Sequence, residues 1–80
     1  MGRPIVAITM GDPAGIGPEI IMKALAVPEV YEISRPLVIG DARRLAKAGK
    51  IVGSRLSIRT INDPADGRYR VGEVDCVDLE

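Results

Sequence analysis

The segment from residue 5 to residue 21, IVAITMGDPAGIGPEII, constrains the fold of this 80-residue chain more than any other segment. An apolar run typical of a strand breaks into a loop rich in glycine and proline. A helix can begin at Pro18, because proline suits the first helical position. Open α/β sheets bind ligands outside the carboxyl ends of their strands, where helix starts present free N–H groups that favour anions. The segment therefore predicts an α/β fold and the place of a ligand site.

The strand and the helix on either side of this loop follow from composition. We predict a first strand over Pro4–Met10, buried on both faces of a parallel sheet because its apolar run is nearly continuous. We predict a helix from Pro18 to about Ala26, since Pro28 disfavours helical backbone just before it. The residues expected on the inner side of this helix are Ile20, Ile21, Ala24 and Leu25.

The middle of the chain predicts a second strand and helix. A short helical turn over Pro28–Ser34 leads into an apolar strand at Pro36–Gly40. Asp41 can cap a helix that runs to Gly49, where glycine would supply a left-handed end. The residues expected to face inward are Leu45, Ala48 and Ala42.

The last third of the chain predicts two more strands. Leu56–Ile61 alternates apolar with polar residues, as a strand with one solvent-exposed face does, and Val74–Leu79 forms the other strand. The order β, α, β, α, β, β predicts an α/β fold, namely a mostly parallel sheet with flanking helices and an antiparallel or irregular tail. Because an open sheet usually needs more chain to close its core, we expect residues 1–80 to be the N-terminal, incomplete segment of an α/β lobe.

Charge and composition narrow the class of partner. The eleven basic and eleven acidic residues cancel and are scattered along the chain, which disfavours nucleic acid and anionic membranes and favours a small molecule. The N-terminus has no apolar run of signal-peptide length, and nothing resembles a membrane span. Cys76 is the single cysteine, so we expect a reducing compartment, by default the cytoplasm.

The glycines of the loop are the first candidate site residues. Gly11, Gly15 and Gly17 can take positive φ and let a ligand approach the backbone, but they can equally serve only to turn the strand into the helix. The dinucleotide pattern G-x-G-x-x-G, started at Gly15, has Ile20 in its last place. The Walker pattern lacks its Gly-Lys-Ser/Thr, so P-loop nucleotide hydrolysis is disfavoured.

Three acidic residues near strand ends each have a binding and a structural interpretation. Asp12 suits a ligand hydroxyl, ammonium or metal, although an Asp before proline commonly bonds the backbone two residues on. Glu19 can reach a substrate, but its place in the first turn of a helix is explained by the helix dipole. Asp41 can touch a nucleotide or simply cap the following helix.

The chain offers no group for acid–base or nucleophilic catalysis that we can name. It has no histidine, so Cys76 lacks an imidazole to activate it and is interpreted as a buried structural thiol. Asp75 and Asp78 are three residues apart on one strand, which places them on opposite faces and makes a metal pair unsuitable. We therefore assign no catalytic residue and no metal ligand to this chain.

Three segments resemble one known family. The segments ITMGDPAGIGPEI (residues 8–20), PLVIGDARRL (36–45) and GEVDCVDL (72–79) are similar to the 4-hydroxythreonine-4-phosphate dehydrogenase family of pyridoxal phosphate biosynthesis. The core of the loop, GIGPEI, also resembles isocitrate and isopropylmalate dehydrogenases, whose fold the family shares. The resemblance runs across nearly the whole chain.

The resemblance implies an oxidoreductase of which this chain is the N-terminal part of a two-lobed fold. Such enzymes are homodimers that use NAD or NADP, with a divalent metal (Zn, Mg or Co), to oxidise and decarboxylate 4-phosphohydroxy-L-threonine to 3-amino-2-oxopropyl phosphate. The family's metal ligands are histidines, so they are expected outside this chain. The residues matched to the family's cleft loop, with a supporting role in cofactor binding, are Gly11, Asp12, Gly15, Gly17 and Glu19.

Two alternatives stay open at the level of sequence. Relatives of the family act as D-threonate or D-erythronate 4-phosphate dehydrogenases of sugar-acid catabolism, and this portion does not separate them. The other alternative is a small, non-catalytic α/β module that binds an anion at the glycine loop. For a chain cut from a larger enzyme, we expect the isolated 80 residues to be catalytically inactive and marginally stable, because the cut sheet exposes apolar strand edges that the missing part would cover.

Overall fold

The computed structural model describes residues 2–10 and 17–79. These residues form four strands, three α-helices and one short 3₁₀ turn. In chain order the elements are β1 (Ile5–Thr9), α1 (Pro18–Ala24), α2 (Pro28–Ile33), β2 (Arg35–Gly40), α3 (Ala42–Ile51), β3 (Ser57–Ile61), the 3₁₀ turn (Pro64–Asp66) and β4 (Glu73–Asp78). The predicted α/β class is confirmed.

Local chemistry explains where the helices begin. Pro18 and Pro28 stand in the first turns of α1 and α2, where the missing proline N–H removes no helical hydrogen bond. Asp41 caps α3 as predicted, because its carboxylate accepts hydrogen bonds from the backbone N–H groups of Arg43 and Arg44. None of the helices in the described ranges is long and apolar enough to cross a membrane.

The sheet is parallel at every pairing among the described strands, in the order β1-β2-β4-β3. The predicted antiparallel or irregular tail is therefore wrong. The reason is the connection over residues 62–72, which carries the chain back along the sheet so that β4 enters between β2 and β3 in their direction. Turn-rich composition at 62–67 does not reveal that return path.

The connections follow a single handedness. All three helices contribute to one apolar cluster with Val38, Val74 and Cys76, so they lie on one face of the sheet. The chain reverses its direction across the sheet between β3 and β4, and there Tyr69 packs on the opposite face with Leu37. Crossovers of one hand require this change of face when the direction reverses.

The main core lies between the helices and the sheet. Leu45 and Ala48 of α3 face inward as predicted, but the inner side of α1 is shifted from the expectation. Ile20 is 59% exposed, and Ala24 is exposed as well, so their predicted burial is wrong. The most fully buried residues of α1 and of the turn after it are Ile21, Met22 and Leu25.

β1 is not buried on both faces, contrary to the prediction from its apolar run. It pairs only with β2 among the described strands, and Ile5 and Val6 are 41% and 46% exposed. Composition predicts the kind of strand that suits a central position, but position in the sheet decides burial. β3 is the opposite edge of the described sheet, and its Ser57 and Thr60 are both exposed. Their spacing places them on opposite faces of the strand, so the predicted single solvent-exposed face is wrong.

Gly49 does not provide the left-handed end of α3, which continues to Ile51. The positive φ of 70° occurs at Gly53 instead, two residues after the helix. Gly49 is needed for another reason: a Cβ there would stand 2.8 Å from the Cε atom of Met22 in α1. The glycine thus lets α1 and α3 approach closely.

Truncation of the core face of α3 should destabilise the chain far more than truncation of its outer face. Leu45 is fully buried and Ile51 is 67% exposed on the same helix. We expect Leu45→Ala to lower the free energy of unfolding by about 2–5 kcal/mol and Ile51→Ala to change it by about 0.5 kcal/mol or less. Chemical denaturation of both variants measures the difference, and equal losses would contradict the assigned core.

Candidate functional site at the carboxyl edge of the sheet

The carboxyl ends of three strands meet at one edge of the sheet. β1 pairs with β2 through Thr9 and Ile39, and β2 pairs with β4 through Gly40 and Asp78. Met10, which follows β1, therefore lies beside Gly40. Because ligands of open α/β sheets bind at this edge, we take it as the candidate site.

Two of the five predicted site residues lie in the described part of the chain. Gly17 precedes α1 with φ −71° and ψ 157°, and its carbonyl accepts hydrogen bonds from the N–H groups of Ile20 and Ile21, both at 3.1 Å. Gly17 therefore does not use the positive φ that glycine permits. Glu19 lies exposed in the first turn of α1, where its charge complements the helix dipole.

The other three predicted site residues, Gly11, Asp12 and Gly15, lie outside the described residues. Their contact with a ligand stays a prediction, as does that of Gly17 and Glu19. The structure shows only that Gly17 and Glu19 begin a helix that follows β1, as the motif predicts.

Gly40 shapes the edge by leaving room for Met10. A Cβ at position 40 would overlap the side chain of Met10 and stand 2.6 Å from its Sδ atom. The Met10 side chain therefore lies across the end of β2. The sequence offered no signal for this contact, because it joins the residue after β1 to the end of β2, 30 residues further along the chain.

Two carboxylates flank Gly40, and both are engaged with backbone groups. Asp41 accepts hydrogen bonds from the N–H groups of Arg43 at 2.9 Å and Arg44 at 3.3 Å. Asp78, at the end of β4, accepts one from the N–H of Ala42 at 3.3 Å. The structural interpretation of Asp41 as a cap is confirmed, and the two carboxylates together hold the start of α3 against the edge of the sheet.

Cys76 lies beneath this edge and is fully buried, as predicted. Burial raises the pKa of its thiol to about 11, and the negative charges of Asp78 and Asp41 add to that rise. A hydrogen bond with the backbone of Gly40 opposes it. The thiolate is therefore disfavoured at neutral pH, which is unsuitable for a nucleophile.

A groove of about 380 Å³ runs from the start of α1 along α3. Its lining residues are Pro18, Glu19, Arg44, Lys47, Ala48 and Ile51. A larger depression of about 420 Å³ lies at the opposite end of the sheet, between Met22 and the segment that includes Leu56. We prefer the carboxyl edge as the site despite its smaller groove, because the larger depression lies at the amino ends of the strands.

Asp75 is a buried charge that the sequence did not reveal, being only 1% exposed. Its Oδ2 atom accepts a hydrogen bond of 2.8 Å from the N–H of Tyr69, and Oδ1 lies 3.7 Å from Nη1 of Arg59. Tyr69 has a φ of 52°, so the carboxylate holds a left-handed residue in the β3–β4 connection. Asp75 and Asp78 do lie on opposite faces, as their spacing predicts.

The described residues do not supply a metal centre. They contain no group of three or more histidine, cysteine, aspartate or glutamate side chains placed to hold an ion, and the sequence has no histidine at all. The described residues thus do not fit the divalent metal implied by the resemblance.

Comparison with known proteins bears out the resemblance. No protein-family model matches the chain. It is 54% identical over 76 residues to the D-threonate 4-phosphate dehydrogenase of Cupriavidus necator. The aligned region covers 95% of this chain and 23% of that enzyme. It is 48% identical over 77 residues to the 4-hydroxythreonine-4-phosphate dehydrogenase of Desulforapulum autotrophicum. The aligned region covers 96% of this chain and 23% of that enzyme.

A solved structure gives the same result for the fold. The crystal structure of a 4-hydroxythreonine-4-phosphate dehydrogenase from Burkholderia phymatum matches 99% of this chain with a TM-score of 0.90 and 51% identity. The match covers 24% of that chain. The chain thus spans about a quarter of the length of the relatives it matches.

The Gly40–Met10 contact predicts a compensating pair of substitutions. Gly40→Ala should lower the free energy of unfolding by about 1–3 kcal/mol, because the new methyl group meets the Met10 side chain. In the double variant with Met10→Ala, the methyl group no longer has a side chain to meet. We expect chemical denaturation to show a double-variant loss smaller than the sum of the single losses by at least about 0.5 kcal/mol. Strict additivity would contradict the contact.

The buried thiol predicts a loss of stability at alkaline pH. The folded-state pKa of Cys76 is about 11 against an ordinary value of 9.0, so folding favours the neutral thiol. That contribution is fully present below pH 9 and is lost as pH rises towards 11, at roughly 1.4 kcal/mol for each pKa unit. Unfolding free energies measured across this range should fall less steeply for Cys76→Ala.

Tyr31→Phe is the matched control for this pH dependence. Burial and the charge of Asp75 raise the pKa of Tyr31 from 10.0 to about 12, so its contribution is lost only above pH 10. A Cys76→Ala profile that parallels the unsubstituted chain between pH 9 and 10 would contradict the assigned burial of the thiol.

Proposed function

We propose that this chain is the N-terminal part of an NAD(P)-dependent dehydrogenase that oxidises a 4-phosphorylated hydroxy acid, with 4-phosphohydroxy-L-threonine as the substrate. The observation that carries the proposal is the match to dehydrogenases of 4-phosphorylated substrates over 95–99% of the chain, at 48–54% identity. The parallel sheet and the helix that follows β1 support it, because they form the carboxyl edge at which such folds bind ligands.

The proposed reaction has two steps. The carbon that bears the hydroxyl loses a hydride to the oxidised nicotinamide, and the hydroxyl oxygen loses its proton to a base, which gives a β-keto acid. The β-keto acid then loses carbon dioxide, and protonation of the resulting enolate gives 3-amino-2-oxopropyl phosphate. A divalent metal bound by residues outside this chain would supply Lewis acidity to this reaction. We propose that the base and the metal ligands come from parts of the enzyme outside this chain.

The role proposed for this chain is to shape one side of the site. Gly17 and Glu19 begin α1, and the contact between Gly40 and Met10 packs the residue after β1 against the end of β2. Together with Gly11, Asp12 and Gly15, these residues would support a cofactor and not carry out the chemistry. The complete enzyme is proposed to be a cytoplasmic homodimer, in keeping with the resemblance.

D-Threonate 4-phosphate is the second candidate substrate. It is favoured by the 54% identity to the Cupriavidus necator enzyme, against 48% to the Desulforapulum autotrophicum enzyme. The two substrates differ at the carbon beside the carboxylate, which bears an amino group in one and a hydroxyl in the other. The wrong substrate would leave a buried polar group of the enzyme without its hydrogen-bond partner, which costs about 1–3 kcal/mol of binding free energy. The enzyme should therefore prefer the correct substrate strongly.

A chimaera tests the proposed activity. In it, this chain replaces the matching first quarter of the Cupriavidus necator enzyme, and reduced nicotinamide is measured with each of the two substrates, with and without a chelator. We expect chelator-sensitive NADH or NADPH formation from the chimaera and none from the isolated chain. A chimaera that unfolds cooperatively but oxidises neither substrate would contradict the proposal.

The contribution of Glu19 can be separated from a helix-start effect by a matched control in the same chimaera. Glu19 and Glu29 both follow a proline in the first turn of a helix, and both are exposed. If Glu19 supports the cofactor, Glu19→Gln should lower kcat/KM by about threefold or more while Glu29→Gln leaves it unchanged. Equal small losses of stability with unchanged kcat/KM would leave Glu19 only its dipole role.

A further inference from the structure

Two adjoining depressions, of about 420 and 390 Å³, lie beside the amino ends of β3 and β4. Both are lined by Met22 of α1 and by Ser54, Arg55 and Leu56 of the connection between α3 and β3. We call the two depressions together the amino-end groove. Small-molecule sites in proteins have volumes of about 300–1,000 Å³. The groove is therefore large enough for a ligand that contains a ring system.

The floor of the amino-end groove is apolar. Met22 is buried there, whereas Leu56 and Ile58 are only partly buried against the same core and keep some exposed surface. The thioether of methionine is polarizable and packs favourably against aromatic rings. The floor therefore suits the apolar, aromatic body of a ligand.

The rim of the groove carries positive charge, and no acidic side chain is among its described lining residues. Arg55 lines both depressions, Lys23 lines the larger and Lys50 lines the smaller. All three are exposed, and no carboxylate of the described residues forms an ion pair with them. A guanidinium such as that of Arg55 matches a carboxylate with two parallel hydrogen bonds. The unpaired charges of the rim therefore favour an anionic group on the same ligand.

Two glycines leave the larger depression open on one side. Gly53 and Gly72 line it with φ values of 70° and 95°, a region that side chains with a Cβ rarely adopt. A Cβ at either position would meet no described heavy atom within 4 Å beyond the adjoining residues. This side of the depression is thus formed by bare backbone, which a ligand can approach without meeting a side chain.

We propose that the amino-end groove is a second ligand site, which binds a small aromatic carboxylate. The ring lies on the floor formed by Met22 and Leu56, and the carboxylate pairs with the guanidinium of Arg55. The apolar floor selects the body of the ligand, and the unpaired cations of the rim select its charge. The groove lies at the opposite end of the strands from the carboxyl edge, so the inference does not rest on the proposed dehydrogenase activity.

Isothermal titration calorimetry on the chimaera with the Cupriavidus necator enzyme tests the proposal with three ligands. 2-Naphthoate carries both the rings and the carboxylate, 2-naphthamide replaces the carboxylate with a neutral amide, and acetate lacks the rings. NAD and inorganic phosphate are kept at saturating concentrations so that they occupy the proposed catalytic cleft. We expect 2-naphthoate to bind at least about tenfold more tightly than either control, because only it satisfies both the floor and the rim.

Two results of the titrations would overturn the proposal. Equal affinities for 2-naphthoate and 2-naphthamide would show that the positive rim does not select an anion. Absence of saturable 2-naphthoate binding would overturn it as well, and a groove filled by another part of the enzyme or by a second copy gives that result.

Arg55→Gln and Arg43→Gln form a matched pair of variants. Both arginines are exposed, but Arg43 lies on α3 outside the linings of the two depressions. Arg55→Gln should weaken 2-naphthoate binding by about fivefold or more and leave 2-naphthamide binding within about twofold, since only the carboxylate loses its partner. Arg43→Gln should change neither affinity by more than about twofold. Equal losses from the two variants would overturn the proposal, because the general positive charge of the surface would then explain binding.

Amide hydrogen exchange locates the ligand without any substitution. In the unsubstituted chimaera, 2-naphthoate should slow exchange of the peptide spanning residues 50–58 by about threefold or more, because a bound ligand disfavours local opening of that segment. The peptide spanning residues 28–34 is the control, since α2 contributes no described residue to the groove, and its exchange should not change. Protection that appears only outside residues 50–58 would overturn the proposal.

Discussion

The structure depends on the parallel pairing of β2 with strands on both of its sides. Val38, at the middle of β2, pairs with Ile8 of β1 and with Cys76 of β4, and all three point towards the helices. This pairing brings the carboxyl ends of the strands to one edge and gives the helices an apolar floor. The shape of the candidate site follows from it, because Met10, Gly40 and Asp78 become neighbours only through this register.

The candidate site combines backbone geometry with carboxylates that are already engaged. Asp41 and Asp78 bind N–H groups at the start of α3, and the thiol of Cys76 is kept neutral beneath them. Such an edge holds the start of α3 in place and presents no ionised thiol among the described residues. It is consistent with the proposed supporting role of a chain that has no histidine and that matches about a quarter of each relative.

Features set by neighbours in sequence were predictable, and features set by distant contacts were not. The cap at Asp41 and the start of α1 at Pro18 depend on residues within one helical turn, so the sequence predicted both. The placement of β4 between β2 and β3 depends on Tyr69, which packs on the face opposite the helices and donates a backbone hydrogen bond to Asp75. No local sequence pattern predicts these contacts. The burial of β1 was predicted wrongly for a related reason, since an apolar run does not say how many strands flank it.

The strand order has a consequence for the way the chain is made. β4 lies between β2 and β3 but is the last of the described strands to leave the ribosome. Until it emerges, β3 has no partner in the described sheet, and the inner edge of β2 stays open beside an already synthesised helical layer. Domains fold as units during synthesis, and unpaired strand edges are prone to aggregation while they wait. The nascent chain therefore carries unpaired edges on both β2 and β3 until β4 arrives between them.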